Sequence, residues 1–196
     1  MALTKLNNKA VANVTSIPVA LGDMVLVSSA TASSSASIEF SLGNYKEYQI
    51  FFVGLHPQSD TTYLRLWGST DGGSTYGVTK TTTHFTAQHN EADNSAILQY
   101  QTSHDLAQST SHQNLTTVQG NDNDQTCSGW LKIFNPSSTT YVKHFMSCIN
   151  QAQYDDRTHQ HFVAGYWNTT SAINAVKFEF NTGNIDAGKI LMFGLN

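Results

Sequence analysis

Two cysteines and three prolines in 196 residues are too few cysteines for a secreted disulfide scaffold and few enough prolines to leave long strands uninterrupted. Charge is scarce as well. Ten Lys and Arg against fourteen Asp and Glu give a formal charge of -4 and a pI near 6.0. No basic stripe is present to neutralise phosphates, so nucleic acid is not an expected partner. No apolar run exceeds the six residues from Ile50 to Leu55, far short of the ~20 that a membrane-spanning helix requires, and membrane insertion is not expected. The opening Met1-Ala2-Leu3-Thr4-Lys5 leads into no apolar stretch of signal-peptide type. The expectation is a chain made and kept in a cytosol, in which the Asn-x-Ser/Thr matches at Asn13, Asn114 and Asn168 are coincidental in a Thr-rich sequence.

What replaces charge is neutral polarity: 43 Ser and Thr plus 28 Asn and Gln. Short runs of alternating or continuous apolar character, each bounded by Gly, Pro, Asn, Asp or Ser, read as strands. They are Ser37 to Leu42, Glu47 to Leu55, Thr62 to Trp67, Ala96 to Gln101, Cys127 to Phe134, Thr140 to Asn150, His161 to Trp167, Ala175 to Asn181 and Lys189 to Leu195. Val176, Phe178 and Phe180 alternate with Lys177 and Glu179, as in a strand with one dry and one wet face. Turns fall at Thr70-Asp71-Gly72-Gly73, Asn135-Pro136-Ser137-Ser138 and Thr182-Gly183-Asn184. Nine or so strands at this spacing predict an all-β fold, an antiparallel β-sandwich of jelly-roll-like type over residues 36–196. Residues 1–35 read as an extended N-terminal arm and tether. Its Ser/Ala run is a spacer, and Val11, Val14, Ile17, Val19, Leu21, Met24, Val25, Leu26 and Val27 are the side chains that would add to a neighbouring surface. Between Val78 and Thr126 the pattern dissolves, apart from Ala96 to Gln101, with a short helix near Glu91 to Gln101 as an alternative. A stretch that long is where a binding surface or subunit contact is expected.

The residues that carry chemistry form no recognised catalytic set. His159-Gln160-His161 would place two imidazoles on one face of a strand, and two histidines can contribute to a metal site. A closed zinc site takes four ligands, however, and Asp155 and Asp156 stand in no ligand spacing, so the plainer reading is polar surface or interface. His84 and His89 fall in the unpatterned stretch and read as loop residues. Asn121-Asp122-Asn123-Asp124 offers oxygen ligands but lacks the glycine and closing glutamate of a calcium-binding EF-hand loop. There is no Gly-x-Ser-x-Gly elbow and no glycine-rich phosphate loop. No catalytic residue, metal or cofactor is expected. Trp130, Tyr166 and Trp167 are candidates for stacking on a glycan or for lining a subunit interface. If the Pro136 to Ser138 turn centres a hairpin, Phe134 pairs with Tyr141 and Cys127 falls opposite Cys148, both reduced. The same register sets Lys132 against Lys143, which sheets disfavour, so a slipped register is an equal contender.

The run from Tyr63 to Tyr76, Tyr-Leu-Arg-Leu-Trp-Gly-Ser-Thr-Asp-Gly-Gly-Ser-Thr-Tyr, resembles a stretch frequent in small virion proteins of tailed phages. Ile133-Phe134-Asn135-Pro136 is similar to the middle of such proteins. Ala175 to Asn181 followed by Gly183 to Leu195 is similar to their closing strand, glycine-bearing turn and last strand. The opening Met1 to Leu6 resembles the start of phage appendage and fibre proteins. The resemblance spans about residues 37–196 and carries no active-site residues. It implies a non-enzymatic structural protein, assembled in the host cytoplasm into the virion, contacting other capsid or tail proteins, and itself oligomeric, with a trimer expected. The chain has no long shaft or heptad repeat, so capsid decoration or a short head fibre is favoured over a full tail fibre. A receptor-binding, lectin-like appendage recognising host surface glycans is the alternative.

Overall fold

The computed structural model describes residues 24–196, and these form an antiparallel β-sandwich with twelve strands and no helix. In chain order they are β1 (Val25–Thr31), β2 (Ile38–Ser41), β3 (Glu47–Pro57), β4 (Leu64–Ser69), β5 (Lys80–Asn90), β6 (Ala96–Tyr100), β7 (Gln113–Asn114), β8 (Cys127–Phe134), β9 (Lys143–Gln153), β10 (Arg157–Trp167), β11 (Ala175–Phe180) and β12 (Ile185–Leu195). One sheet has eight strands in the order β1-β12-β3-β8-β9-β10-β5-β6, and the other has four in the order β2-β11-β4-β7. The small sheet covers one face of the large one, and the other face is left open.

Alternation along each strand decides which side chains enter the core. Tyr48, Ile50 and Phe52 of β3, Leu131 and Ile133 of β8, and Ile190 and Met192 of β12 point inward. They meet Phe40, Leu64, Leu66 and Phe178 of the small sheet. Phe178 sets its ring edge-on to both Phe52, at 5.2 Å, and Phe40, at 6.4 Å. Midway along β3 the pairing with both neighbours slips, around Gly54 and Gly188. Both glycines hold positive φ, 56° and 108°, and a side chain on Gly188 would strike the Gly54 carbonyl at 2.4 Å. This bulge inverts the parity of β3, so that Leu55 rather than an even-numbered residue is buried beyond it.

The arm expected over residues 1–35 does not extend that far. Val25 and Val27 lie in β1, the edge strand of the large sheet paired with β12, and Ala32 is a core residue. The Ser/Ala composition of this segment suits an edge strand whose side chains are mostly exposed. Val11, Val14, Ile17, Val19 and Leu21 lie outside the described residues. No helix forms near Glu91: β5 and β6 are a hairpin, with Asn90 closing it through hydrogen bonds to Asn94 and Ser95.

The β8–β9 register differs by three residues from the hairpin that sets Cys127 opposite Cys148. Ile133 faces Phe145, Trp130 faces Cys148, and Cys127 faces Gln151. The loop therefore runs from Asn135 to Val142 rather than closing tightly. Burial explains the choice: the observed register puts Cys127, Leu131 and Ile133 on the same inner face as Phe145 and Ile149. A three-residue slip would have turned His144, Met146 and Asn150 inward instead. It also replaces the Lys132–Lys143 clash by Lys132 opposite Met146. Both cysteines are free thiols.

The unpatterned stretch is ordered by polar contacts rather than apolar ones. Residues 101–126 cross the open end of the sandwich and add β7 to the edge of the small sheet. Thr82 Oγ1 donates to Gln113 Oε1 at 2.6 Å, the Leu64 amide to Thr116 Oγ1 at 2.9 Å, and Gln119 Nε2 to the Leu55 carbonyl at 2.9 Å. Gln151 Nε2 donates to the Thr117 carbonyl. Each of these side chains is buried, so each bond is protected from competition by water.

Candidate functional site

Two features stand out from the generic core: a histidine cluster inside the sandwich and an aromatic band on its open face.

The interior changes character across the large sheet. Below β3, β8 and β12 it is apolar, whereas below β9, β10 and β5 it holds Lys80, Thr82, His84, Thr86, Gln151, His159 and His161, all buried. His159 and His161 do share one strand face, as their spacing requires, but that face is the interior and not the surface. His84 belongs to β5 and not to a loop, which brings its Nε2 within 3.1 Å of His161 Nδ1. His89, also on β5, is partly exposed and lies 3.2 Å from Asp93. His104, from the crossing segment, lies tilted beside His84 with ring centroids 5.8 Å apart, and its Nδ1 is held by the Asn114 side-chain amide. Burial drives the His84 pKa down to about 3, helped by His104 and His159 nearby, and drives His159 down to about 4. His161 is pushed well below the ordinary value by the same cause. The cluster is therefore neutral at physiological pH. Several of its ring nitrogens, including both of His159, have no protein partner. Among the described residues no three His, Cys, Asp or Glu side chains converge as a metal site would require.

Two lysines are buried at the same end, flanking Trp167 in register. Lys80 Nζ donates to the carbonyls of Val78 and Ser111, and Lys143 Nζ to that of Thr169 at 3.0 Å. Burial lowers the Lys80 pKa to about 8. Trp167, expected as a glycan or interface aromatic, is wholly buried between these strands. Its ring lies 4.6 Å from Phe145 and packs over the backbone of Gly68. It is a core residue because β10 turns its odd-numbered side chains inward.

The acidic blocks are brought to one cleft of about 310 Å³, where Asp122 and Asp124 face Glu91, Asp156 and Arg157. Arg157 is held by Asp155 at 2.9 Å. The Asp71 turn within Tyr63 to Tyr76 is self-bracing: its carboxylate accepts from Ser69 Oγ, the Thr75 amide and Thr75 Oγ1. Those bonds, the Thr75 hydroxyl first, hold its pKa down to about 2.

On the open face of the large sheet, one register row crosses seven strands without a charged side chain. It runs through Leu191 of β12, Phe51, Trp130, Cys148, Phe162, Phe85 and finally Tyr100 of β6. Phe193 and Met146 broaden it on one side, in a row shared with Gln49 and Lys132, and Val53 and Leu98 on the other, beside Lys189, Asn150 and Gln160. Phe85 and Phe162 stack nearly parallel at 4.7 Å, and Phe51 meets Phe193 edge-on at 5.8 Å. Leu98 is 75% exposed, Val53 50%, Tyr100 49% and Met146 48%, so this is apolar surface in water and not a covered layer. Trp130, expected as a surface aromatic, lies in the middle of the row and lines a groove of about 320 Å³ with Phe85, Phe162 and Met146. Tyr166 borders an adjoining groove of about 400 Å³ with His144 and Thr83. Reading strands one at a time missed the band, because it exists only across strands. The signal in the sequence was the continuous run Ile50 to Val53, apolar on both faces of a strand. Compared with known proteins, the chain matches no protein-family model, no curated protein and no solved structure.

Proposed function

We propose that the chain is a non-enzymatic structural component of a tailed-phage particle, decorating the capsid or forming a short fibre, and that the open face of its large sheet is an assembly surface. The aromatic band is the observation that carries this reading. A soluble monomer rarely exposes a contiguous apolar patch of this extent, and such patches mark contact sites. The interior favours the same reading. Its histidines are sealed and neutral, so the apolar band is the feature that suits packing. The run from Tyr63 to Tyr76, which carries the resemblance to virion proteins, forms β4 and the braced Asp71 turn, a structural and not a catalytic unit. Trp67 Nε1 donates to Glu179 at 2.7 Å, and Lys177 lies over the rings of both Trp67 and Tyr76. Antibody labelling of purified particles tests the proposal: tens of copies on the head are expected, and absence from particles would refute it.

A lectin-like receptor-binding role is the second reading, favoured by the groove beside Tyr166 with its hydroxyls from Thr81 and Thr83. Saccharide binding weakened at least tenfold by Tyr166→Ala, with only a few copies at the tail, would support it in place of decoration.

A further inference from the structure

Resting on the assembly role proposed above, we propose that the occupant of the aromatic band is a second copy of this chain, packed large sheet against large sheet about a two-fold axis at Cys148. Size is the first argument. Seven strands cross the band, and at ~4.8 Å between strands and about three outward rows some 7 Å apart it measures roughly 29 by 20 Å. Two copies face to face would bury on the order of 1,200 Å², the lower bound of a stable protein interface.

Shape and charge select a copy over an unrelated partner. The central row bears no charge; of the lysines in the rows beside it, Lys132 is paired with Glu47 at 3.1 Å and Lys189 sits at the β12 end opposite Val53, so a charged partner would find little to neutralise. What fits a broad, twisted sheet face with an apolar central row and largely neutral polar borders is another sheet face of the same twist, stacked about 10 Å away at the small angle that two such sheets adopt. Isologous pairing supplies it without a second gene product.

The position of the axis follows from the row. Its seven strands are centred on β9, whose central outward residue is Cys148. A two-fold axis there lays the bulky Tyr100 end of one copy over the slimmer Leu191 end of the other, and brings the two Cys148 thiols together. Cys127 is buried on the opposite face and serves as an internal control.

Sedimentation equilibrium of the full chain is expected to show a dimer at micromolar concentration. Mild oxidation with diamide is expected to link two chains through a Cys148–Cys148 disulfide, the two thiols giving their hydrogens to the diazene, which becomes the hydrazine. Cys148→Ser should abolish the link but leave the dimer. Phe162→Asp should weaken dimerisation at least a hundredfold. Met146→Glu and Leu98→Asp, at more exposed positions, should each do so at least tenfold with unchanged thermal unfolding, which guards against a misfolded Phe162 variant. A monomer at tens of micromolar overturns the proposal, as does the trimer that the resemblance to virion proteins implies, a dimer indifferent to Met146→Glu and Leu98→Asp, or one that gives no Cys148 link. If deletion of residues 2–23 creates a dimer that the full chain lacks, the band belongs to the chain's own N-terminal segment, which also overturns it. A dimer absent from particles would sink the virion role alone, and a monomer present in particles would sink only the dimer.

Discussion

Lowering the pH from 7 to 5 should destabilise the fold through His84, His159 and His161. All three are buried and have folded pKa values below the ordinary one, about 3 for His84 and about 4 for His159. Unfolded, each regains a value near 6.5. Between the two values the unfolded chain binds more protons than the folded one, so unfolding free energy falls as pH falls. Stability is whole above about pH 6.5 and drains as the pH drops towards the folded values, below which the loss levels off. One pH unit inside this window is worth about 1.4 kcal/mol per site, so at pH 5 His84 and His159 each contribute a loss of about 2 kcal/mol, about 4 together, and His161 adds to it in the same direction. The groups around them modulate the loss. His104 lowers all three values, Arg157 lowers that of His159, Asp155 raises it, and Asp105 raises that of His84. A loss of about 4 kcal/mol is a large share of the whole stability of a typical domain.

Urea unfolding at pH 7, 6 and 5, followed by tryptophan fluorescence, measures this directly. The midpoint should fall steeply between pH 6 and 5, and His159→Gln should reduce the fall by about 2 kcal/mol without removing it, since His112, lowered to about 4 by burial, and His104 act in the same window. Asp71, whose folded value of about 2 lies below its ordinary 3.8, begins to matter only below about pH 4, so the two windows separate. An unfolding free energy constant to within about 1 kcal/mol from pH 7 to 5 would refute the reasoning, because it would mean that the imidazoles find compensating partners when charged.

Gly68→Ala should cost roughly 1–3 kcal/mol by overpacking, since the added carbon would lie 2.6 Å from Trp167 Nε1; a thermal midpoint equal to the parent's would show that Trp167 has room to move. Phe178→Ala should cost about 3–5 kcal/mol, because it empties the contact shared with Phe40 and Phe52, and denaturant unfolding reads the loss. In native protein diluted until it is monomeric, one thiol should react promptly with a disulfide reagent and the second only on unfolding. The slow one is Cys127, wholly buried with its pKa pushed up to about 12 by that burial; two equally fast thiols would contradict this.

Much of the fold was legible because the core half of the sandwich is apolar at period two. β8 runs from Cys127 to Phe134 as its pattern requires, and β2, β3, β4, β6, β9, β10, β11 and β12 sit where apolar alternation places them, with shifted ends. The strands missed share one property. β5 buries Lys80, Thr82, His84 and Thr86, so its inward face is polar and no hydrophobic pattern marks it. β1 is an edge strand with no fully buried side chain, and β7 is two residues held by its neighbours' hydrogen bonds. The register of β8 on β9 was hidden for a different reason: Asn135-Pro136 marks a turn but not the length of the loop, and only inner-face burial fixes it.

The candidate site was less legible, and the reason is geometric. A strand exposes its own alternation to the reader but not which strands become its neighbours, and the aromatic band needs β12, β3, β8, β9, β10, β5 and β6 side by side. Four of its members, Phe51, Trp130, Phe162 and Phe193, are flanked in sequence by residues that enter the core, so each alone reads as part of a doubly apolar strand. The small sheet has only four strands against eight, so it can shield only one face of the large sheet. A strand apolar on both faces is stable in such a fold only when its second face is tolerated in water or met by another surface. The extent of the row, uncharged from Leu191 to Tyr100, favours the second condition, and this ties the composition to function: a chain with few charges keeps its widest apolar surface where an assembly contact can bury it.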